Sequence, residues 1–281
     1  MLISHALAGP VIGGATHMGH RAHAGRGGYA DGLFDLSGRV VLVTGGSRGL
    51  GREMAFGAAR CGADVVIASR TYEACVTTAG EIEKETGRAA LPYAVHMGRW
   101  DQLPGLVDAV HERFGRLDVL VNNAGMSPVY EDLGEVTEKM FDAVVALNLK
   151  GPFRLSVLAG QRMAAAGGGA IVNVSSTGSL RPRAPIVPYA AAKAGLNAMT
   201  EGLAHAFGPT VRVNTLMCGP FATWATRHWQ DDPEALAAGV RDHALQRIGD
   251  PREVVGAALY LISDAASYTT GATLRVDGGM P

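Results

Sequence analysis

Charge and cysteine are both scarce in this chain, and each shortage closes off a class of function. Only 18% of the 281 residues are charged, and the formal net charge is −1. No basic stripe is left over for nucleic acid or an anionic membrane surface. Four Lys stand against twenty-one Arg, a bias that reflects base composition more than chemistry. Three cysteines, Cys61, Cys75 and Cys218, form no CxxC and leave an odd count. That excludes a disulfide framework and fits a reducing, cytoplasmic setting. No apolar run approaches the roughly eighteen residues of a membrane span. The N-terminus has no basic segment ahead of its apolar patches, so no secretory signal is expected.

Apolar residues, by contrast, make up 47% of the chain, enough for a large core, an oligomer interface, or both. Residues 1–34 stand apart, rich in Gly, Ala and His and without helical or strand period. They are read as a flexible extension, with Met18 as another possible start. The spacing His17-x-x-His20-x-x-His23 has no fourth ligand and no defined helix, so no metal site is assigned.

Over 35–281, short β-branched runs alternate with helix-length amphipathic segments. The strand-like runs are 40–43, 64–68, 89–95, 119–121, 171–174, 211–216 and 272–276; helices are expected near 50–61, 73–86, 102–114, 137–166, 189–207 and 251–263. Continuous rather than alternating apolar runs suit strands covered on both faces. The order predicts an α/β, single-domain, Rossmann-like doubly wound fold with a seven-stranded parallel sheet.

A glycine-rich turn, Thr44-Gly45-Gly46-Ser47-Arg48-Gly49-Leu50-Gly51, follows the first strand and opens a helix. Free N–H groups at such a helix start bind a pyrophosphate. The second strand ends in Ser69-Arg70, where an NAD-preferring site would place a carboxylate against the ribose hydroxyls. A hydroxyl and two guanidiniums, Arg70 and Arg48, suit a 2′-phosphate instead, and so NADP(H).

Further on, Tyr189 and Lys193 lie four residues apart, thirteen residues after Ser176 at the end of a strand. The spacing puts both side chains on one helical face. A phenol with a free pKa near ~10 is a poor acid at neutral pH, and a nearby ammonium is expected to lower it. Ser176 is suited to hold a substrate oxygen. Asn148 precedes Pro152 by four residues, and proline has no N–H to give the Asn148 carbonyl. That carbonyl is then free to hold a water linked to Lys193. A simple proline kink is the competing reading.

With these motifs in order, the chain resembles the short-chain dehydrogenase/reductase family, and is similar to its 3-oxoacyl carrier-protein reductase branch. The glycine turn, Asn122-Asn123-Ala124-Gly125, Asn148, Ser176, Tyr189, Lys193 and Cys218-Gly219-Pro220-Phe221-Ala222-Thr223 carry the resemblance over about 35–281. It implies a catalytic set of Asn148, Ser176, Tyr189 and Lys193. It also implies nicotinamide-cofactor contacts at Asn123, Ala124, Gly125, Tyr189, Lys193, Gly219 and Thr223, with Lys193 on the nicotinamide ribose. Two positions depart from the family pattern. His96 stands where an aspartate commonly meets the adenine, and is expected to stack or to accept from the exocyclic amine. Cys218 replaces a proline, which bears on loop rigidity.

The expected substrate is a small-molecule ketone or secondary alcohol. Its walls are sought in 180–186, in Met126 and Met217, and in a lid over about 221–247 carrying Trp224, His228 and Trp229. An NAD-linked alcohol dehydrogenase and a catalytically silent dinucleotide-binding regulator stay open as alternatives. Small residues along the long helices, together with the resemblance, point to a homotetramer.

Overall fold

A computed structural model describes residues 32–281, leaving aside the side chains of His228 and Trp229. The His17, His20 and His23 spacing, and all but the last three residues of the expected extension, lie outside the described residues. Seven strands form one sheet: β1 (Val40–Thr44), β2 (Asp64–Ser69), β3 (Ala90–Ala94), β4 (Val119–Asn122), β5 (Gly169–Ser176), β6 (Val211–Cys218) and β7 (Thr273–Val276). Their order is β3-β2-β1-β4-β5-β6-β7. Every pairing is parallel. The order reverses direction between β1 and β4, which opens a crevice at the carboxyl ends of the strands.

The continuous apolar runs are explained by cover on both faces. Val41, Val43, Val65 and Ile67 pack with α1 (Gly49–Arg60), α2 (Tyr72–Thr86) and α9 (Val255–Ile262). Val40, Leu42, Val66 and Leu120 pack on the other face, against α3 (Leu103–Phe114), α5 (Gly151–Ala165) and α6 (Val187–Phe207). Each fully buried side chain of this size contributes about 1.5–3 kcal/mol, so neither face tolerates a polar substitution.

Sequence periodicity predicted one helix over 137–166. The structure breaks it into α4 (Glu138–Val145), one turn of π-helix at Ala146–Lys150, and α5. Asn148 supplies the reason: its Nδ2 donates to the Val144 carbonyl at 3.0 Å. That is the carbonyl its own N–H would take in an α-helix. The Gly151 N–H reaches back to Ala146. A Cβ on Gly151 would lie 2.0 Å from the Met97 carbonyl oxygen, so only glycine lets the helix approach the loop after β3 this closely. Between β6 and α9 run two short helices, α7 (Arg227–Gln230) and α8 (Pro233–Val240). The Phe221–Gly249 bridge draws the ends of that excursion together.

Candidate active site

The glycine turn is held from three sides. The Gly45 N–H donates to Ala68 O at 2.7 Å. Asn123 Nδ2 donates to Thr44 O at 2.9 Å and Gly45 O at 3.3 Å. Thr44 Oγ1 accepts from the N–H groups of Asn123 and Ala124 at 3.0 and 3.1 Å. Gly45 and Gly49 have φ of 64° and 55°, and a Cβ on Gly51 would meet Asn123 Nδ2 at 2.4 Å. The Asn123 side chain is therefore committed to the turn, and sequence reasoning missed Thr44 as its clasp. Helix α1 starts with no side-chain cap and no acid in its first turn. Unsatisfied N–H groups beside glycine are the donor set a pyrophosphate fits.

At the end of β2, Ser47 Oγ donates to Ser69 Oγ at 3.0 Å. Ser69 Oγ also lies 3.0 Å from Cys75 Sγ. Arg70 and Arg48 are exposed, and among the described residues neither has an ion-pair partner. Arg48 rests its guanidinium 5.1 Å from the ring centroid of Trp224, so it meets the segment after β6 rather than Ser69. His96 is exposed at the end of β3. Its Nδ1 accepts from the Gly98 N–H at 3.1 Å, which removes Nδ1 as the acceptor expected for an exocyclic amine.

Across the crevice, β5 ends at Ser176, whose Oγ accepts from the Gly178 N–H at 3.1 Å and, together with the Tyr189 ring, borders Gly178. Tyr189 sits in the first turn of α6 and is half-buried. Burial pushes its phenol up to about 12, while the nearby Ser176 hydroxyl works in the other direction. The lowering expected from the Lys193 ammonium is not found: the phenol is raised, and the downward influence on it comes from Ser176. Lys193 is 3% exposed and donates from Nζ to the Val174 carbonyl at 2.8 Å. Its Nζ is 5.8 Å from the Tyr189 ring centroid. Burial pushes the ammonium down to about 8, with Cys218 pulling slightly upward.

Asn148 is fully buried. Its Nδ2 donates to Met126 O at 2.9 Å, and its Oδ1 accepts from the Met126 N–H at 3.3 Å. A Cβ on Gly125 would fall 2.7 Å from Asn148 Oδ1 and 3.7 Å from Lys193 Nζ. Asn148 and Lys193 therefore both border Gly125, and the Asn148 amide pins the strand exit through Met126. Cys218 closes β6 in register with Ser176 and Val276, so ladder pairing supplies rigidity where proline was expected. Burial pushes its thiol up to about 12. The Gly219 N–H donates to Val276 O at 2.9 Å. Thr223 forms a capping box with Thr226 and lies against Gly49. Met217 is buried inside β6 and is withdrawn from the expected wall, whereas Leu180 and Trp224 are 47% and 69% exposed. Arg181 and Arg183 are exposed.

A buried polar chain also escaped the sequence reading. Asn122 Nδ2 donates to Ser156 Oγ and Asn173 Oδ1, and Asn173 Nδ2 donates to Thr200 Oγ1. It ties β4 and β5 to α5 and α6 directly beneath the site. The one signal was asparagine inside otherwise apolar runs.

A family model described as enoyl-(acyl carrier protein) reductase matches residues 45–281. A short chain dehydrogenase/reductase of Aspergillus oryzae is 36% identical, over 88% of this chain and 96% of its own length. The chain belongs to the short-chain dehydrogenase/reductase family. A 3-oxoacyl-[acyl-carrier-protein] reductase of Thermotoga maritima is 35% identical over 87% of this chain and 98% of that one. A gluconate 5-dehydrogenase from Burkholderia cenocepacia, solved with NADP and tartrate, superposes with a TM-score of 0.85 at 33% identity, covering 89% of this chain and 98% of that chain. This short-chain dehydrogenase/reductase is thus an oxidoreductase with a single Rossmann-like domain. Among its described residues no helix is long and apolar enough to cross a membrane.

Proposed function

We propose that the protein is an NADP(H)-dependent oxidoreductase that interconverts a ketone and a secondary alcohol. The observation that carries this reading is buried Lys193, its Nζ 5.8 Å from the Tyr189 ring centroid, with Ser176 Oγ and that ring both bordering Gly178, at the strand ends that also hold the glycine turn. Bound nicotinamide would supply or take the hydride. Ser176 orients the substrate oxygen, Tyr189 gives or takes its proton, and Lys193 assists Tyr189 and binds the nicotinamide ribose. The Asn148 carbonyl, which Pro152 cannot reach with a donor, holds a water leading to Lys193. Ala124, Gly125, Gly219 and Thr223 border the nicotinamide half. The chain from Phe221 to Arg247 acts as the lid, and the substrate wall comes from Met126, Leu180 and Trp224.

Ser47, Ser69, Arg70 and Arg48 hold the 2′-phosphate. An exposed cation–π contact is worth about 0.5–1 kcal/mol, less than the roughly 1.5–3 kcal/mol of a hydrogen bond to a charged group. Arg48 can therefore leave Trp224 for the phosphate. The relatives solved with NADP support the same coenzyme. The assembly is a homotetramer.

A panel of ketones and alcohols followed by NADPH absorbance tests the reaction, with NADH run in parallel. NADPH should be favoured by about a hundredfold in kcat/KM, since two arginines on one phosphate do not add fully. Ser69→Asp with Arg70→Leu should reverse the preference. Equal kcat/KM for the two coenzymes would refute the phosphate reading, and no turnover with any activated diketone would favour the silent regulator.

A further inference from the structure

Resting on the nucleotide reading above, we infer that the protein reads the purine of its coenzyme with a hydrogen-bond donor, His96 Nε2–H. The site therefore admits a purine that carries oxygen in place of the 6-amino group. The position follows from the sheet. The pyrophosphate turn follows β1, and the ribose-reading pair Ser69 and Arg70 stands at the end of β2. The next strand outward is β3. Adjacent strands are about 4.8 Å apart, so a dinucleotide running along the strand ends brings its base over the end of β3. The Val95 N–H donates to Ser69 O at 2.8 Å, continuing the pairing past Ala94. The residue that follows is His96.

The polarity follows from one contact. A backbone N–H can only donate, so the Gly98 bond at 3.1 Å requires a lone pair on Nδ1. The neutral imidazole then carries its proton on Nε2. A flipped ring would offer Gly98 a C–H and lose the bond. The loop backbone around the ring is held in place: the His96 N–H donates to Gln102 Oε1 at 3.3 Å, the Arg99 N–H donates to His96 O at 2.8 Å, and Val95 and Met97 anchor the flanks at 4% and 3% exposure. Against adenine, a donor pairs with a ring nitrogen and has no use for the 6-amino group. Against hypoxanthine, the same donor meets the 6-oxo group. A carboxylate at this position would do the reverse, accepting from the amine and repelling the oxygen.

Dissociation constants for NADPH and its hypoxanthine counterpart, measured by fluorescence on the unmodified protein and on His96→Asp, test this. The unmodified protein should bind the two within about tenfold, and the variant should shift the ratio toward adenine by about tenfold or more. A smaller shift, or an unmodified protein that rejects the 6-oxo compound beyond that margin, would overturn the inference alone. Absence of NADPH binding by the unmodified protein would overturn the nucleotide reading with it. Should His96→Asp not fold, His96→Glu presents the same carboxylate on a longer stem and takes its place.

Discussion

Tyr189 keeps its proton through neutral pH, because burial pushes the phenol up to about 12. That suits the proton-donating role in ketone reduction. Tyr189→Phe removes the donor and little else, so turnover should fall by about 10²–10⁴ while NADPH affinity, measured by fluorescence titration, holds. Retention of most of kcat would refute the acid–base role. Lys193 titrates the other way. Its pKa falls from 10.5 to about 8 on burial, so the folded state binds the proton less tightly than the unfolded chain. The charged ammonium costs stability below the folded value, and that cost fades as pH climbs from about 8 toward 10.5. Lys193→Met abolishes the titration. The stability of the variant relative to wild type should therefore decline over that interval in urea denaturation. A relative stability that rises there would show that the lysine is not desolvated as described. Cys218, raised to about 12, contributes equally to both proteins and largely cancels in the comparison.

At the scale of elements, the π turn at Ala146–Lys150 is where sequence and structure differ most. The widened turn adds a single residue to the 3.6 repeat, one phase slip that hydrophobic spacing over 137–166 does not report. What imposes the turn is a single amide on the Val144 carbonyl and a loop carbonyl crowding Gly151, both products of packing. The strands were legible for the opposite reason. Burial on both faces demands the apolar runs of β1, β2, β4, β5 and β6, while β3 and β7 are only partly covered; all seven strands appear where the sequence places them. The glycine turn and the approach of Ser176 and Tyr189 to one another around Gly178 were legible through local spacing. The Asn122–Asn173–Thr200 chain was not, because it depends on which strands become neighbours. Pro152 follows the π turn in the first turn of α5. Pro152→Ala returns a donor within reach of the Asn148 carbonyl and should displace the proposed water. Turnover should then slow, by about tenfold if the relay carries the proton, with coenzyme affinity unchanged. A wild-type rate would leave Pro152 as a kink only.

For the whole molecule, the two edges of the sheet are not equivalent. Edge strand β3 carries Pro92, which withholds a donor and blunts pairing. Edge strand β7 has no proline and is only partly covered, with Tyr268 fully exposed nearby. A second uncovered surface lies on α4 and α5. Phe141 and Phe153 are 46% and 41% exposed there, and Trp100 stacks on Phe153 at 6.2 Å between ring centroids. Two separate surfaces, each used isologously, generate dihedral symmetry and four subunits, whereas one alone would stop at a dimer. The expected mass in light scattering at micromolar concentration is four chains. Phe153→Asp, which places a charge in the helical surface without touching the β7 edge, should yield a dimer held by the remaining interface. A monomeric wild-type protein would sink the proposal. A tetramer that survives Phe153→Asp would place the second interface elsewhere than α4 and α5.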